Sequence, residues 1–344
     1  MKKIGIVLLG AILGVAFDTC YADDQASVVL KRAALLPQRL TSYKLTETTQ
    51  RFVGSEAGAG REPEISSMVL VRSGRMFRCE VEFPDANTGA RLRRKSAFNG
   101  ERHQYLEEAE KQLVLSNASR FPNPTLRMDP WILPYAFLLE QGHELAWSTV
   151  RDAAIWEKKG RNCRYLGKER LRNHECEVVE MPATGTLFPE AQWKIFFATD
   201  VHYFPIRNEA VARNGDLYGY VDVEEHKTID CEGEPVVVPV KMTQTDYRDG
   251  AVLARHIVTI EPSSIQVNVD FDQDLFTLPT SNVEWVHDVD KGTHLNVGGG
   301  MPLVEESVKL SPTRVVALLL TLVVFSIAGF VVVWKKWKTR KQHA

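Results

Sequence analysis

From residue 75 onward the chain repeatedly alternates apolar and polar side chains, and this two-residue period constrains the fold more than any other feature. In the stretch from Arg75 to Phe83, Phe77, Cys79, Val81 and Phe83 share one face, and the other face is mostly charged. A segment with that pattern is a strand covered on one side only. The pattern returns at Trp193, Ile195 and Phe197, and at Leu217, Val221 and Val223. It recurs at Val236, Val238, Val240 and Met242, at Val252, Ala254, Val258 and Ile260, and at Ile265, Val267, Val269 and Phe271. Turn signals separate these runs at Pro84-Asp85-Ala86-Asn87, Asn99-Gly100, Asn214-Gly215-Asp216 and Asp249-Gly250, the last of them the cleanest hairpin signal.

Two stretches break the rhythm. Between residues 26 and 40, Val28, Val29, Ala33, Leu36 and Leu40 recur at three-to-four spacing and predict an amphipathic helix. Trp131, Ile132, Leu133, Pro134, Tyr135, Ala136, Phe137, Leu138 and Leu139 follow a proline-rich loop and predict short helices too apolar to lie open in water. They read either as a core helix on the sheet or as a movable cover over a hydrophobic cleft. The residues themselves therefore describe a mostly β domain with helices (α+β), one large antiparallel sheet over residues 24–297.

Export governs both ends. Lys2 and Lys3, an apolar run over 4–17 and Cys20-Tyr21-Ala22 form a cleavable signal peptide over residues 1–22. Residues 315–334 carry no charge and are long enough to span a bilayer. Trp334, Lys335, Lys336 and Trp337 anchor the interface, and Lys338, Arg340 and Lys341 follow. The expected organisation is a linker at 298–313, a transmembrane helix at 314–334 and a basic cytoplasmic tail at 335–344. That is a single-pass type I protein of the inner membrane, its main domain in the periplasm or outside the cell. The extended linker reaches at most ~50 Å.

With the terminal segments set aside, 34 basic and 43 acidic residues remain out of 42 and 44. That balance argues against a nucleic-acid partner, which needs a basic footprint. Export leaves Cys79, Cys163, Cys176 and Cys231 in an oxidising compartment. Three pairings are open to them, Cys163 with Cys176 being the local one, and free buried thiols are the other outcome.

Catalytic signatures are absent: there is no GxSxG, HExxH, P-loop or GxGxxG. Asp270, Asp272 and Asp274 imitate a calcium loop, but Leu275 stands where glycine is required and Ser281 where glutamate is. Their spacing puts them on the outer face of a strand. His287, Asp288, Asp290 and His294 surround a hairpin turn at Asp290-Lys291-Gly292, where polar residues need no metal. No cofactor, metal or enzymatic activity is expected.

Two stretches carry a resemblance. Gly167, Glu169, Cys176 and Val179 within residues 165–179 are similar to the G-x-E-x-x-x-G-x-x-C/A-x-x-V hairpin of the LolA/LolB-like periplasmic lipoprotein-carrier superfamily, with Asn173 at the turn-glycine position. Residues 271–279, with the turn after Asp288, are similar to its last strand and exit. The resemblance implies a curved antiparallel half-barrel closed by an N-terminal helix and a mid-chain helical lid around a cavity for acyl chains. Phe77, Val81 and Phe83 on the sheet, with Trp131, Leu133, Phe137 and Leu138 on the lid, are then the candidate ligand contacts. A tether within ~50 Å of the membrane excludes shuttling between membranes. The expectation is a membrane-anchored protein holding a lipid or lipoprotein acyl chain. The alternative is an envelope signalling or scaffold protein with a protein partner.

Overall fold

The computed structural model describes residues 24–54, 62–85, 87–117, 129–138, 147–182, 191–297 and 306–307. The expected signal peptide, transmembrane helix and tail lie outside these residues. Among the described residues no helix is long and apolar enough to cross a membrane.

The chain opens with helix α1 (Asp24–Gln38), then five consecutive hairpins' worth of strand: β1 (Ser42–Val53), β2 (Glu64–Ser73), β3 (Met76–Pro84), β4 (Arg91–Phe98), β5 (Arg102–Glu107) and β6 (Gln112–Asn117). A 3-10 segment (Leu133–Leu138) and two short helices, α2 (Trp147–Arg151) and α3 (Ala153–Gly160), interrupt. A second meander follows: β7 (Arg164–Leu171), β8 (His174–Pro182), β9 (Ala191–Ala198), β10 (Phe204–Ala212), β11 (Leu217–Cys231), β12 (Glu234–Arg248) and β13 (Ala251–Ile260). The end adds β14 (Gln266–Val267), a 3-10 turn (Gln273–Phe276), and the short strands β15 (Trp285–Asp288), β16 (Thr293–Asn296) and β17 (Glu306–Ser307).

All strands belong to one open, curved sheet, and β1 joins its two meanders. On one side β1 pairs with β2, Leu45 opposite Leu70; on the other it pairs with β13, Glu47 opposite Ile260. The order across the sheet is therefore β7 to β13, then β1 to β6, then β15, β16 and β17. Every pairing is antiparallel except β6 with β15. Asn99-Gly100 and Asp249-Gly250 make the expected hairpins, Asp249 and Gly250 both at positive φ (52° and 75°) as a type I′ turn requires. Gly219 is fixed by proximity: a Cβ there would meet the Thr245 carbonyl oxygen at 2.9 Å.

Helix α1 buries Ala26, Val29, Leu30, Ala33, Ala34, Leu36 and Pro37. The expected face is thus rotated: Leu30 is inside, and Val28 is 41% exposed. The helix packs on α3 and on β7, β8, β10 and β12, and the main core lies between these helices and the sheet. A smaller core of Ala97, Leu106, Leu113, Leu278 and Val283 forms on the opposite face of β4 to β6, under the C-terminal segment.

The strand expected over Ile265, Val267, Val269 and Phe271 is cut to the two residues of β14. Asn268 adopts φ 53°, its side-chain carbonyl accepting from the Thr41 amide and its side-chain amide donating to the Arg39 carbonyl. That left-handed residue ends the two-residue period. Asp272 then caps the turn Gln273–Phe276 by accepting from the Asp274 amide, so Asp270, Asp272 and Asp274 do not share a strand face. In the β7–β8 turn the positive φ falls on Arg172 (56°) and not on Asn173. None of the four cysteines, Cys163 and Cys176 included, is bonded to another in the structure. Cys163 instead donates to the Lys159 carbonyl at 3.0 Å.

Candidate functional site

The lid segment is core, not a cover over open space. Trp131, Phe137 and Leu138 are at most 1% exposed, Phe77 is 3%, and Leu133 packs against the same cluster. Phe137 meets Trp156 and Phe197 edge-on at 5.7 and 5.9 Å, and Tyr135 meets Phe204 and Trp156 at 6.1 and 6.0 Å. Edge-to-face rings at these spacings are in packing contact. Five of the seven expected ligand contacts, Phe77, Trp131, Leu133, Phe137 and Leu138, therefore serve packing.

A buried polar lock holds this segment to the sheet. Asp129, 1% exposed, accepts from the Arg72 guanidinium at 2.8 Å, from the Tyr43 hydroxyl at 2.5 Å and from the Trp131 amide at 3.0 Å. Its own carbonyl accepts from the Ile132 and Leu133 amides. Farther along, Asn208 donates to the Pro134 carbonyl at 2.9 Å. Burial first, then the Asp129 charge, hold the Tyr43 phenol well above its ordinary value, so it stays a donor.

Glu47 sits next to this lock at 2% exposure. The Thr49 hydroxyl donates to its Oε1, and its Oε2 has no partner among the described residues. Burial and the nearby Asp129 push its pKa well above 4.5. The shift favours the protonated form, because the ionised carboxylate would lose hydration without a counter-charge.

Open space lies on the same concave face, one step beyond Glu47. A cavity of about 270 Å³ is lined by residues of β1 to β5, at the small end of ligand-sized pockets. Its floor is Met68, Val81 and Phe83, so two of the expected contacts, Val81 and Phe83, do line a cavity. Its rim is polar and cationic. The Arg94 guanidinium stacks 4.7 Å from the Phe83 ring and pairs with Glu107 at 2.5 Å, and Arg51 pairs with Glu64 at 3.1 Å. Tyr105 donates to Glu107 at 2.9 Å, and burial, aided by that bond, moves its pKa up to about 12.

Sequence reasoning missed Tyr43, Glu47, Arg72 and Asp129. A signal was present for two of them: Glu47 and Arg72 fall on the apolar parity of β1 and β2, in register with Leu45 and Leu70. The turn at Asp290-Lys291-Gly292 forms as expected, with Asp288 accepting from the Lys291 amide and paired with Arg102 at 2.9 Å. Among the described residues no group of three or more His, Cys, Asp or Glu side chains is arranged to hold a metal.

No protein-family model matches the chain, and no curated protein matches it in sequence. Among solved structures it is similar to a DUF1329 family protein from Desulfovibrio piger (TM-score 0.46, 10% identity, 75% of this chain and 98% of that one). It is also similar to a putative outer membrane lipoprotein-sorting protein domain from Vibrio parahaemolyticus (TM-score 0.44, 13% identity, 73% and 97%). A third is a LolA superfamily protein from Nitrosomonas europaea (TM-score 0.40, 10% identity, 74% and 97%).

Proposed function

We propose that this is an exported, membrane-tethered binding protein that holds one acyl chain of a lipid or lipoprotein against the concave sheet face, in the cavity over β1 to β5. The observation that carries this reading is an apolar floor of Met68, Val81 and Phe83 beneath a rim of Arg51, Arg94 and Tyr105. An amphiphile has the matching arrangement, a chain that gains from burial and a head that keeps its water. Each buried methylene contributes ~0.8 kcal/mol, so about five would supply ~4 kcal/mol without any catalytic group. The test is to fill the cavity. Val81→Trp should weaken binding of a fluorescent fatty-acyl probe at least tenfold, while Val69→Trp, on the opposite face of the sheet, should leave it unchanged. Equal affinity in both variants refutes the assignment.

A second reading draws on the lock at Asp129. A concave face solid beneath the lid is a stiff platform, as a scaffold or sensing domain for an envelope protein requires. That reading gains if the purified chain carries no extractable acyl ligand by mass spectrometry and the probe does not bind.

A further inference from the structure

The sheet register carries the cavity face outward to a cluster of rings. Residues directly opposite each other in paired strands point to the same side. Met68 lies opposite Val81, Val81 opposite Arg94, Arg94 opposite Glu107, Glu107 opposite Gln112, and Gln112 opposite Trp285. The next row runs from Ser96 through Tyr105 and Val114 to His287 and His294. Trp285, His287 and His294 thus continue the very face that lines the cavity. From Arg94 to Trp285 is three strand spacings, roughly 14 Å.

The rings form a small platform. Trp285, 37% exposed, stacks on His294 at 5.0 Å, and His287 meets His294 edge-on at 5.4 Å. The hairpin's other face is anchored, Val286 packing on the smaller core and Asp288 held by Arg102. On the ring-bearing side β15 and β16 carry Trp285, His287, His294 and Asn296, none of them acidic, and the one acid in register with them is Glu306 of β17, opposite His294. Indole and imidazole, apolar rings with a polar edge, suit the headgroup layer of a bilayer. The chain also places a membrane within reach: Ser307, paired with Thr293, lies eight residues before Val315, at most about 29 Å of extended backbone.

We infer that Trp285, His287 and His294 form a docking surface for the bilayer that the chain itself spans, and that docking sets the cavity mouth on the lipid headgroups. This rests on the tethered, acyl-binding reading above and adds how the ligand enters: laterally, along the sheet, from the membrane surface.

The test uses the full chain reconstituted into phosphatidylcholine vesicles whose lipids are brominated just below the headgroup, comparing wild type with Trp285→Phe. Phenylalanine keeps an apolar ring, and matching far-ultraviolet circular dichroism confirms that the variant folds. Wild type should lose more tryptophan emission than the variant, by about one residue's share of the seven tryptophans. The loss that remains in Trp285→Phe comes from Trp334 and Trp337 beside the span. Equal, non-zero losses overturn the docking surface and leave the tether standing. A loss confined to wild type keeps the docking surface and removes the tether. No loss in either removes both. Quenching of Trp285 by a brominated fatty acid in detergent, with none from brominated vesicles, overturns the proposal by assigning the rings to the acyl ligand.

Discussion

Substituting Asp129 tests the claim that the mid-chain segment is fixed core. Its carboxylate is the shared acceptor for the Arg72 guanidinium, 4% exposed, the Tyr43 hydroxyl and the Trp131 amide. Asp129→Ala leaves a buried cation and a buried hydroxyl with that acceptor gone. Breaking one partner of a buried ion pair costs about 3–5 kcal/mol, so the expected loss is ~4 kcal/mol. Against a typical total of about 5–15 kcal/mol that is severe. Arg72→Met removes the cation and should cost somewhat less, because Asp129 keeps Tyr43 and the Trp131 amide. The double variant discriminates: with both charges gone it should be more stable than the sum of the singles predicts by at least ~2 kcal/mol. Urea unfolding followed by circular dichroism and tryptophan emission measures all three, with coincident transitions confirming two-state behaviour. A loss below ~1 kcal/mol for Asp129→Ala, or strict additivity in the double variant, refutes a buried lock and revives a movable cover.

Two further outcomes follow from the same region and from the thiols. Glu47 keeps its proton in the fold at pH values where the unfolded chain has released it, so its contribution is full below its ordinary 4.5 and is lost as pH rises through the raised value. Glu47→Gln lacks that loss, and its stability relative to wild type should climb with pH; a flat difference between the two refutes the buried neutral acid. The opposite slopes from the lowered pKa values of His103, His226 and His256 cancel in that difference. For the cysteines, maleimide labelling should be slow at Cys163 and Cys176 in the native chain, where burial moves the thiols up to about 12 and about 11. Denaturation without reductant should expose all four mature thiols; recovering a Cys163–Cys176 bridged peptide contradicts the structure.

What the sequence showed was set by local physics. Asn99-Gly100 and Asp249-Gly250 announced their hairpins because positive φ at those turns is a property of the turn residues alone. The faces of β3 and β13 were visible because period-2 burial is local as well, whereas β9 over 195–198 and β12 over 236–239 are buried on both sides, where helices and sheet meet. Two kinds of information were not. The partners of an inward-facing charge depend on tertiary closure: Asp129 lies 57 residues from Arg72 and 86 from Tyr43. The location of empty space depends on which apolar side chains meet one another. The ring-rich lid fills its half of the concave face, and the shorter Met68 and Val81 leave the other half open. Resemblance to carriers placed the cavity under the lid; packing moved it one strand row away.

That displacement makes the concave face graded rather than uniform. Along the single row from Glu47 through Met68, Val81, Arg94 and Glu107 to Trp285, the two residues nearest the lock are 2% and 3% exposed, the Arg94 side chain is 46% exposed and Trp285 is 37% exposed. The dry end closes on a neutral acid, and the wet end carries a cation, its carboxylate partner and an indole. An anionic head moved toward Glu47 would lose its hydration and meet only carboxyl groups, whereas a methylene moved the same way gains with each step. On the proposed acyl-binding reading, the gradient would by itself orient the ligand: tail toward Glu47, head between Arg94 and Trp285. Inserting a charge at the dry end should abolish retention more completely than removing the charge at the rim, because rim contacts stay solvated in either case. A Met68→Asp variant, its new carboxyl opposite Glu47 with no cation to pair with, compared with Arg94→Gln in the acyl-probe assay, each first shown to be folded, reads that difference directly, and the reverse ranking would mean the head, not the tail, occupies the cavity.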